Sequence, residues 1–328
     1  MNRINKIKQL HVLSEEHFSD VMDREVIPFL SGICQSGYLS LPSGQGTLYY
    51  ESYCPADARG VIVISHGFCE SIEKYKEVIY YFVKAGFQVH LADHRGHGRS
   101  LRETTHPNMV HITEFSDYVN DLHALITNII KPTAGKLPLY LYAHSMGGAI
   151  GALYLETYPQ TFTKAILTSP MLAIYMGPIP AFVGQALGWF MVKLHRDQNY
   201  APGQHEFHPD EKWEDSGSSC EARFRYYQTK KEAEPKFQNC GSSYGWAYTS
   251  LCACHSMTQK KNCDKITVPV LVFQSPNDTF IKASGISRFI KNTPSAELIQ
   301  IPDSRHEIYN SASSVIEKYY QTILAFLI

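Results

Sequence analysis

A serine set among small residues, Ala143-His144-Ser145-Met146-Gly147-Gly148, is the best-supported nucleophile in the chain. The stretch matches the nucleophile elbow Gly-x-Ser-x-Gly, with alanine in the first position. An elbow is a sharp strand-to-helix turn that holds its serine in a strained conformation. Only small neighbours fit there, because the two backbones pass close together, and alanine is small enough. An apolar run precedes Ser145, and helix-ready Ala149-Ile150-Gly151-Ala152-Leu153-Tyr154-Leu155 follows it. A helix N-terminus beneath Ser145 favours developing negative charge. This context argues against a chance glycine-rich turn.

A serine needs a base, and the base needs a carboxylate to fix its tautomer. In strand-borne elbows of this kind the order along the chain is Ser, Asp or Glu, His. Asp278 lies in the turn Ser275-Pro276-Asn277-Asp278, just after the run Val270–Phe273. His306 lies in Pro302-Asp303-Ser304-Arg305-His306-Glu307, just after Leu298–Ile301. Asp303 is a rival carboxylate, but only three residues before His306 it suits a turn better. His255 falls in an insertion and is expected at the surface. The oxyanion needs two backbone N–H donors. Met146, next to the nucleophile, and Phe68, in the loop His66-Gly67-Phe68 after an early strand, are the expected pair. The alternative for His66-Gly67 is an ordinary strand-ending turn.

Several elements must bring these residues together. Val61–Ser65, Phe87–Ala92, Leu139–Ala143, Ala165–Thr168, Val270–Phe273 and Leu298–Ile301 are short apolar runs, each closed by turn residues. Such runs suit strands buried on both faces of a parallel sheet. Helical spacing over Tyr75–Lys84, Phe115–Ile130 and Ser313–Leu327 supplies crossover and covering helices, the first two closed by Gly86 and Lys131-Pro132. The expected class is α/β: a mostly parallel sheet flanked by helices.

The alternation stops between about Met171 and Asp264. That stretch is rich in aromatics, including Trp189, Phe190, Phe207, Trp213, Phe224 and Trp246. It reads as a helical lid, 171–263, inserted into a core made of 1–170 and 264–328. Ligands of open α/β sheets bind outside the carboxyl ends of the strands, where such an insertion would sit.

Other chemistries are disfavoured. With 30 basic and 31 acidic residues, nothing favours nucleic acid. Residues 165–192 are uncharged, but they include Pro170, Pro178 and Pro180 and a sheet strand, so a membrane span would tear the sheet apart. A lid helix resting on a membrane surface fits better. Cys252-Ala253-Cys254-His255 lacks a second close pair at ligand spacing, so no metal is expected, and no cofactor. Met1–Lys8 is basic with no apolar run behind it, which argues against a secretory leader and for a cytoplasmic protein with reduced thiols. Asp93-His94-Arg95-Gly96-His97-Gly98-Arg99-Ser100 is expected to be a tight structural loop held by Arg95 and Asp93 rather than a phosphate cradle.

That loop, with Phe115-Ser116-Asp117-Tyr118-Val119-Asn120-Asp121-Leu122, the elbow and Ser169-Pro170-Met171, resembles the bacterial lysophospholipase L2 group and the monoacylglycerol lipases among the serine aminopeptidase S33 hydrolases. Arg223-Phe224-Arg225-Tyr226-Tyr227 and Gly241-Ser242-Ser243-Tyr244-Gly245-Trp246 are similar to the family's lid segments. The resemblance covers about residues 60–310, and Ser14–Ser52 is compatible with it. Pro202–Cys220 and 252–263 have no counterpart. The resemblance implies an α/β-hydrolase fold and hydrolysis of one acyl ester in a lysophospholipid or monoacylglycerol, by Ser145, His306 and Asp278. Another acyl donor, or acyl transfer by the same residues, is the enzymatic alternative. A non-catalytic lipid-binding protein would be expected to have lost one of the three. Headgroup, chain length and oligomeric state are left open.

Overall fold

Alternate residues of each central run face opposite sides of the sheet, and both sides are covered. In the computed structural model, which describes residues 10–41, 44 and 46–328, the runs become strands of one sheet. In chain order these are β1 (Cys34–Ser40), β2 (Thr47–Tyr53), β3 (Val61–Ser65), β4 (Gln88–Ala92), β5 (Leu139–His144), β6 (Lys164–Thr168), β7 (Val270–Gln274) and β8 (Ala296–Gln300). Their spatial order is β1-β2-β4-β3-β5-β6-β7-β8. β2 runs antiparallel to both neighbours, and the pairings from β4 through β8 are parallel.

The helices are α1 (Lys76–Lys84), α2 (Ser116–Leu125), α3 (Met146–Thr157), α4 (Ala181–Lys193), α5 (Glu221–Ala233), α6 (Tyr244–Met257), α7 (Ala283–Asn292) and α8 (Ser313–Leu327), besides shorter turns. Val61, Val63, Leu139, Leu141 and Leu167 pack with α2, α3 and α7 on one face. Ile62, Ile64, Tyr140, Tyr142 and Ile166 pack with α1 and α8 on the other. This double burial is why the runs are continuously apolar.

Three features depart from the sequence expectation. The antiparallel edge strands β1 and β2 were not anticipated. β1 is mostly exposed and carries Gln35, Ser36 and Gly37, so it lacks an apolar signature. β8 starts two residues earlier than expected and is only half-buried, as befits an edge. The helix from Ser116 does not stop at Lys131-Pro132. It passes through a π turn, Ile126–Ile130, and a last turn, Lys131–Ala134, before Gly135 ends it at φ 59°. A wide turn shifts the hydrogen-bond ladder, and Pro132, lacking an N–H, falls where the ladder is broken anyway. The same pairing recurs at Met22–Val26 and Pro28.

Between β6 and β7 stand α4, α5 and α6. α4 and α6 approach closely because Gly184 and Gly188 face them: a Cβ on Gly188 would lie 2.7 Å from the Tyr248 Cβ. Among the described residues no helix is long and apolar enough to cross a membrane. Met1–Lys8, read above for a leader, lies outside the described residues.

One buried group opposes the fold. Glu156, in the last turn of α3, is 5% exposed, and its Oε1 has no hydrogen-bond partner. Burial pushes its carboxyl from 4.5 up to about 8, against a weaker pull from Lys265. The unfolded chain releases this proton near 4.5 and the folded chain near 8. Its contribution to stability is therefore intact below pH 4.5, declines as pH rises to 8 and stays lost above. Urea unfolding should find Glu156→Gln more stable than wild type by about 2–4 kcal/mol at pH 9 and equal to it at pH 4.

Candidate active site

The backbone at Ser145 takes φ 52° and ψ −116°, a region that side-chain-bearing residues rarely occupy. Three contacts hold it there. Ser145 N–H donates to the Thr168 carbonyl at 3.1 Å, and the Ser145 carbonyl accepts from Met171 and Ala149 at 2.9 and 3.1 Å. The following helix has no room to retreat or advance. A methyl on Gly147 would overlap the Ser65 carbonyl at the end of β3, and one on Gly148 would lie 2.7 Å from the Pro170 Cα. The alanine at position 143 is accommodated across the same interface. A Cβ on Gly151 would sit only 3.2 Å from the Ala143 Cβ, so a glycine in α3 leaves the space that the extra methyl in β5 fills.

Ser145 Oγ lies 2.8 Å from His306 Nε2, and His306 Nδ1 lies 2.7 Å from Asp278 Oδ2. Burial pushes the Asp278 carboxyl up, but the His306 ring and the N–H groups of Phe280 and Ile281 outweigh it and hold it below the usual carboxylate range. An ionised carboxylate only accepts, so Nδ1 carries the imidazole proton and Nε2 accepts the Ser145 hydroxyl. The two late turns are tied to each other. Ser275 Oγ and Asn277 Nδ2 both donate to the Ser304 carbonyl, at 2.7 and 3.3 Å. Asp303 sits at φ 59° in its turn, and no hydrogen bond joins it to His306. His255 is exposed on α6.

His144 is buried against the His306 ring, with centroids 4.9 Å apart. Burial depresses it to about 4, against the pull of Glu70. It therefore stays neutral near pH 7 and sets no second cation beside His306.

Met146 opens α3, where N–H groups lack partners within the helix. The other loop is fixed at Gly67. His66 Nε2 accepts from the His94 N–H at 2.9 Å, so its Nδ1 bears the proton and donates to the Gly67 carbonyl at 2.8 Å. The Gly67–Phe68 peptide is planar, so anchoring its carbonyl turns the Phe68 N–H the opposite way. The Phe68 ring lies 4.2 Å from Trp246 of α6.

The loop from Asp93 to Ser100 is structural in this geometry. Asp93 accepts from the N–H groups of Ile72 and Arg99 at 2.7 and 2.8 Å. Arg95 makes a two-pronged bond to Asp121, at 2.6 and 2.7 Å, and reaches Glu103 at 2.7 Å. Cys252 is exposed and Cys254 donates to the Met171 carbonyl. Among the described residues no three His, Cys, Asp or Glu side chains are grouped to hold a metal.

Ser145 and His306 open into a cavity of about 960 Å³. Its lining includes the apolar side chains Ile174, Met176, Ile179, Val183, Leu187 and Leu251. It also includes the polar side chains His205, His208, Asp210, Lys212, Gln228 and Lys231.

The profile of the family Hydrolase_4, described as serine aminopeptidase, S33, matches residues 56–312. The chain belongs to this family. It is 25% identical to a probable lysophospholipase L2 of Haemophilus influenzae over 318 residues, which is 96% of this chain and 99% of that protein. It is 28% identical to a monoacylglycerol lipase of Mycolicibacterium smegmatis over 267 residues, 80% of this chain and 87% of that one. Its fold is shared with a thermostable carboxyl esterase from Bacillus coagulans, solved with glycerol, at TM-score 0.73 and 18% identity, over 90% of this chain and 97% of that one.

Sequence reasoning did not find Glu70, Lys74 or Tyr309, all beside the site, and it named Trp246 only as an aromatic of the lid. A charged pair at i, i+4 in a strand-to-helix turn, Glu70 and Lys74, was the available signal.

The packing at the elbow makes a direct prediction. Gly147→Ala must force α3 off the end of β3. We expect a loss of about 1–3 kcal/mol in urea unfolding, and loss of Ser145 labelling by a fluorophosphonate in the fraction that still folds.

Proposed function

We propose that this protein is a serine ester hydrolase that releases the single acyl chain of a lysophospholipid. The observation that carries the reading is the unbroken line Asp278–His306–Ser145 opening into a cavity lined by both apolar and polar side chains. The H. influenzae relative supports the lysophospholipid, and the family supports the hydrolase.

In this reading Ser145 Oγ attacks the ester carbonyl while His306 Nε2 takes its proton. Asp278 keeps the imidazole oriented and stabilises the imidazolium. The N–H groups of Met146 and Phe68 receive the oxyanion. His306 returns the proton to the departing alcohol, leaving an acyl group on Ser145. Water, deprotonated by His306, then frees the fatty acid. The apolar side chains of the cavity take the acyl chain, which gains about 0.8 kcal/mol per buried methylene. The polar side chains take the headgroup. Monoacylglycerol is the second reading, supported by the M. smegmatis relative. No cofactor enters the scheme.

Residues 171–263 act as the lid. α4 turns Phe182, Trp189 and Phe190 outward, at 70%, 50% and 51% exposure. Positions 182, 189 and 190 share one helical face, and a lipid surface is the apolar phase that would cover it. We place the protein at the cytoplasmic face of a membrane, held there by α4.

The deciding experiment compares wild type with Ser145→Ala for fatty-acid release from lysophosphatidylethanolamine and from a monoacylglycerol. Release by wild type alone, faster from the lysophospholipid, is expected. Faster release from monoacylglycerol selects the second reading. No release from either removes both, and equal release by the variant removes Ser145. Separately, replacing Phe182, Trp189 and Phe190 by serine should lower sedimentation with anionic phospholipid vesicles at least tenfold. Its turnover of a soluble short-chain ester should stay within twofold of wild type.

A further inference from the structure

The floor of the cavity holds a buried ion cluster that the acyl-transfer steps do not use. Glu70 is 4% exposed and has a partner on every side. Its Oε2 accepts from the Gly67 N–H and the Tyr75 hydroxyl, both at 2.6 Å. Its Oε1 accepts from the Tyr309 hydroxyl at 2.6 Å and faces Lys74 Nζ at 3.1 Å. Lys74 Nζ also donates to Glu307 at 2.5 Å and lies 5.3 Å over the ring of Tyr227 in α5.

These contacts join segments far apart in sequence. Gly67 precedes Phe68, Glu307 and Tyr309 follow His306, and Tyr227 belongs to the insertion. One carboxylate and one ammonium thus connect the loop bearing an oxyanion donor, the loop bearing the base and the segment over the site.

We propose that Glu70 and Lys74 are positioning residues for acyl transfer, holding the Gly67–Phe68 peptide and the His306 loop at a fixed separation. The inference rests on the ester-hydrolase reading above. Gly67 has no side chain to restrict its dihedrals, so its orientation depends on what grips its two ends. His66 grips the carbonyl, and Glu70 grips the N–H. The fit is close: a Cβ on Gly67 would lie 2.7 Å from Glu70 Oε2 and 3.0 Å from His144 Cδ2. A carboxylate makes the stronger grip, because charge-assisted hydrogen bonds are shorter and stronger than neutral ones. An uncompensated anion so near the developing oxyanion would oppose it, however, and Lys74 cancels that charge in place.

Both groups are held ionised. Burial pushes Glu70 up, but the Lys74 ammonium and the two tyrosine hydroxyls carry it well below the usual range. Burial pulls Lys74 down, and Glu307 and Glu70 more than restore it. A role in gripping a headgroup is the rival explanation. It fits poorly, because Lys74 already serves two carboxylates and Glu70 already accepts from three hydrogen-bond donors and the ammonium.

The test measures kcat and KM on a soluble short-chain ester for wild type, Glu70→Ala, Glu70→Gln, Lys74→Met and the double variant Glu70→Gln/Lys74→Met. The folded fraction of each is measured by thermal melting. Removing an oxyanion donor outright costs about 10²–10³-fold in kcat, and Glu70→Ala should approach that with KM within threefold of wild type. Glu70→Gln keeps an acceptor for the Gly67 N–H and should recover at least tenfold over Glu70→Ala. Lys74→Met leaves two carboxylates unpaired and should fall below the double variant. If Glu70→Ala does not fold, Glu70→Gln and Lys74→Met decide by the same kcat-against-KM split and by the order of Lys74→Met and the double variant. Folded variants with kcat within threefold of wild type overturn the proposal. A rise in KM at unchanged kcat also overturns it, in favour of headgroup binding. A wild type that turns over no ester overturns the underlying reading, and this one with it.

Discussion

The seat of α3 against the ends of β3 and β5 is the constraint on which the rest depends. Gly147, Gly148 and Gly151 bring helix and sheet backbones together with no side chain between them. That contact fixes where the helix starts, and so where Ser145 points. It also fixes the left-handed turn that Ser145 must adopt. The strain is local and the compensation is spread out, through hydrogen bonds from β6 and the Pro170–Met171 turn and through a core packed on both faces of the sheet. A flexible surface loop could not hold a serine in this conformation.

The segment between β6 and β7 is attached in two different ways. α5 is bolted to the body by charge. Arg223, fully buried, grips both oxygens of Glu77 in α1 and the Leu13 carbonyl. Asn239 clasps the backbone of the loop from Asp93 to Ser100 at Gly96 and Gly98. α4 has no such bolt. It leans on α6 through Gly184, Gly188 and one side-chain bond, Gln185 to the Leu251 carbonyl, and shows its aromatics outward. Apolar contacts are non-directional, so the seat of α4 on α6 is less sharply specified than the ion-paired seat of α5 on α1.

What could be read in advance followed from burial. β3, β5, β6 and β7 are enclosed on both faces, so Val61–Ser65 or Val270–Phe273 announce themselves without context. Ser145, Asp278 and His306 were legible because each follows such a run at a turn. β1 was not legible, since residues such as Gln35 and Ser36 meet solvent and its pairing with β2 leaves no periodic trace. Pro132 misled because a π turn upstream had already altered the ladder. Glu70 and Lys74 carry no local mark of burial. Their burial depends on Tyr309 and Glu307, more than 200 positions away, and no local pattern encodes a contact of that span.

β6 and β7 lie side by side, with Ala165 opposite Val270, yet residues 169–269 run between their ends. The entropy of closing a flexible loop rises only with the logarithm of its length, about 0.6 kcal/mol per doubling. Once the sheet accepts a connection of about ten residues here, one of about a hundred costs roughly 2 kcal/mol more. Length at this socket thus adds only slowly to closure entropy, and it has a kinetic consequence as well. The two strands must find each other across a hundred residues of chain, which raises contact order and slows folding. The freedom in length is not a freedom in sequence, since Pro170 and Met171 seat Ser145 and Arg223 and Asn239 tie the segment to the body.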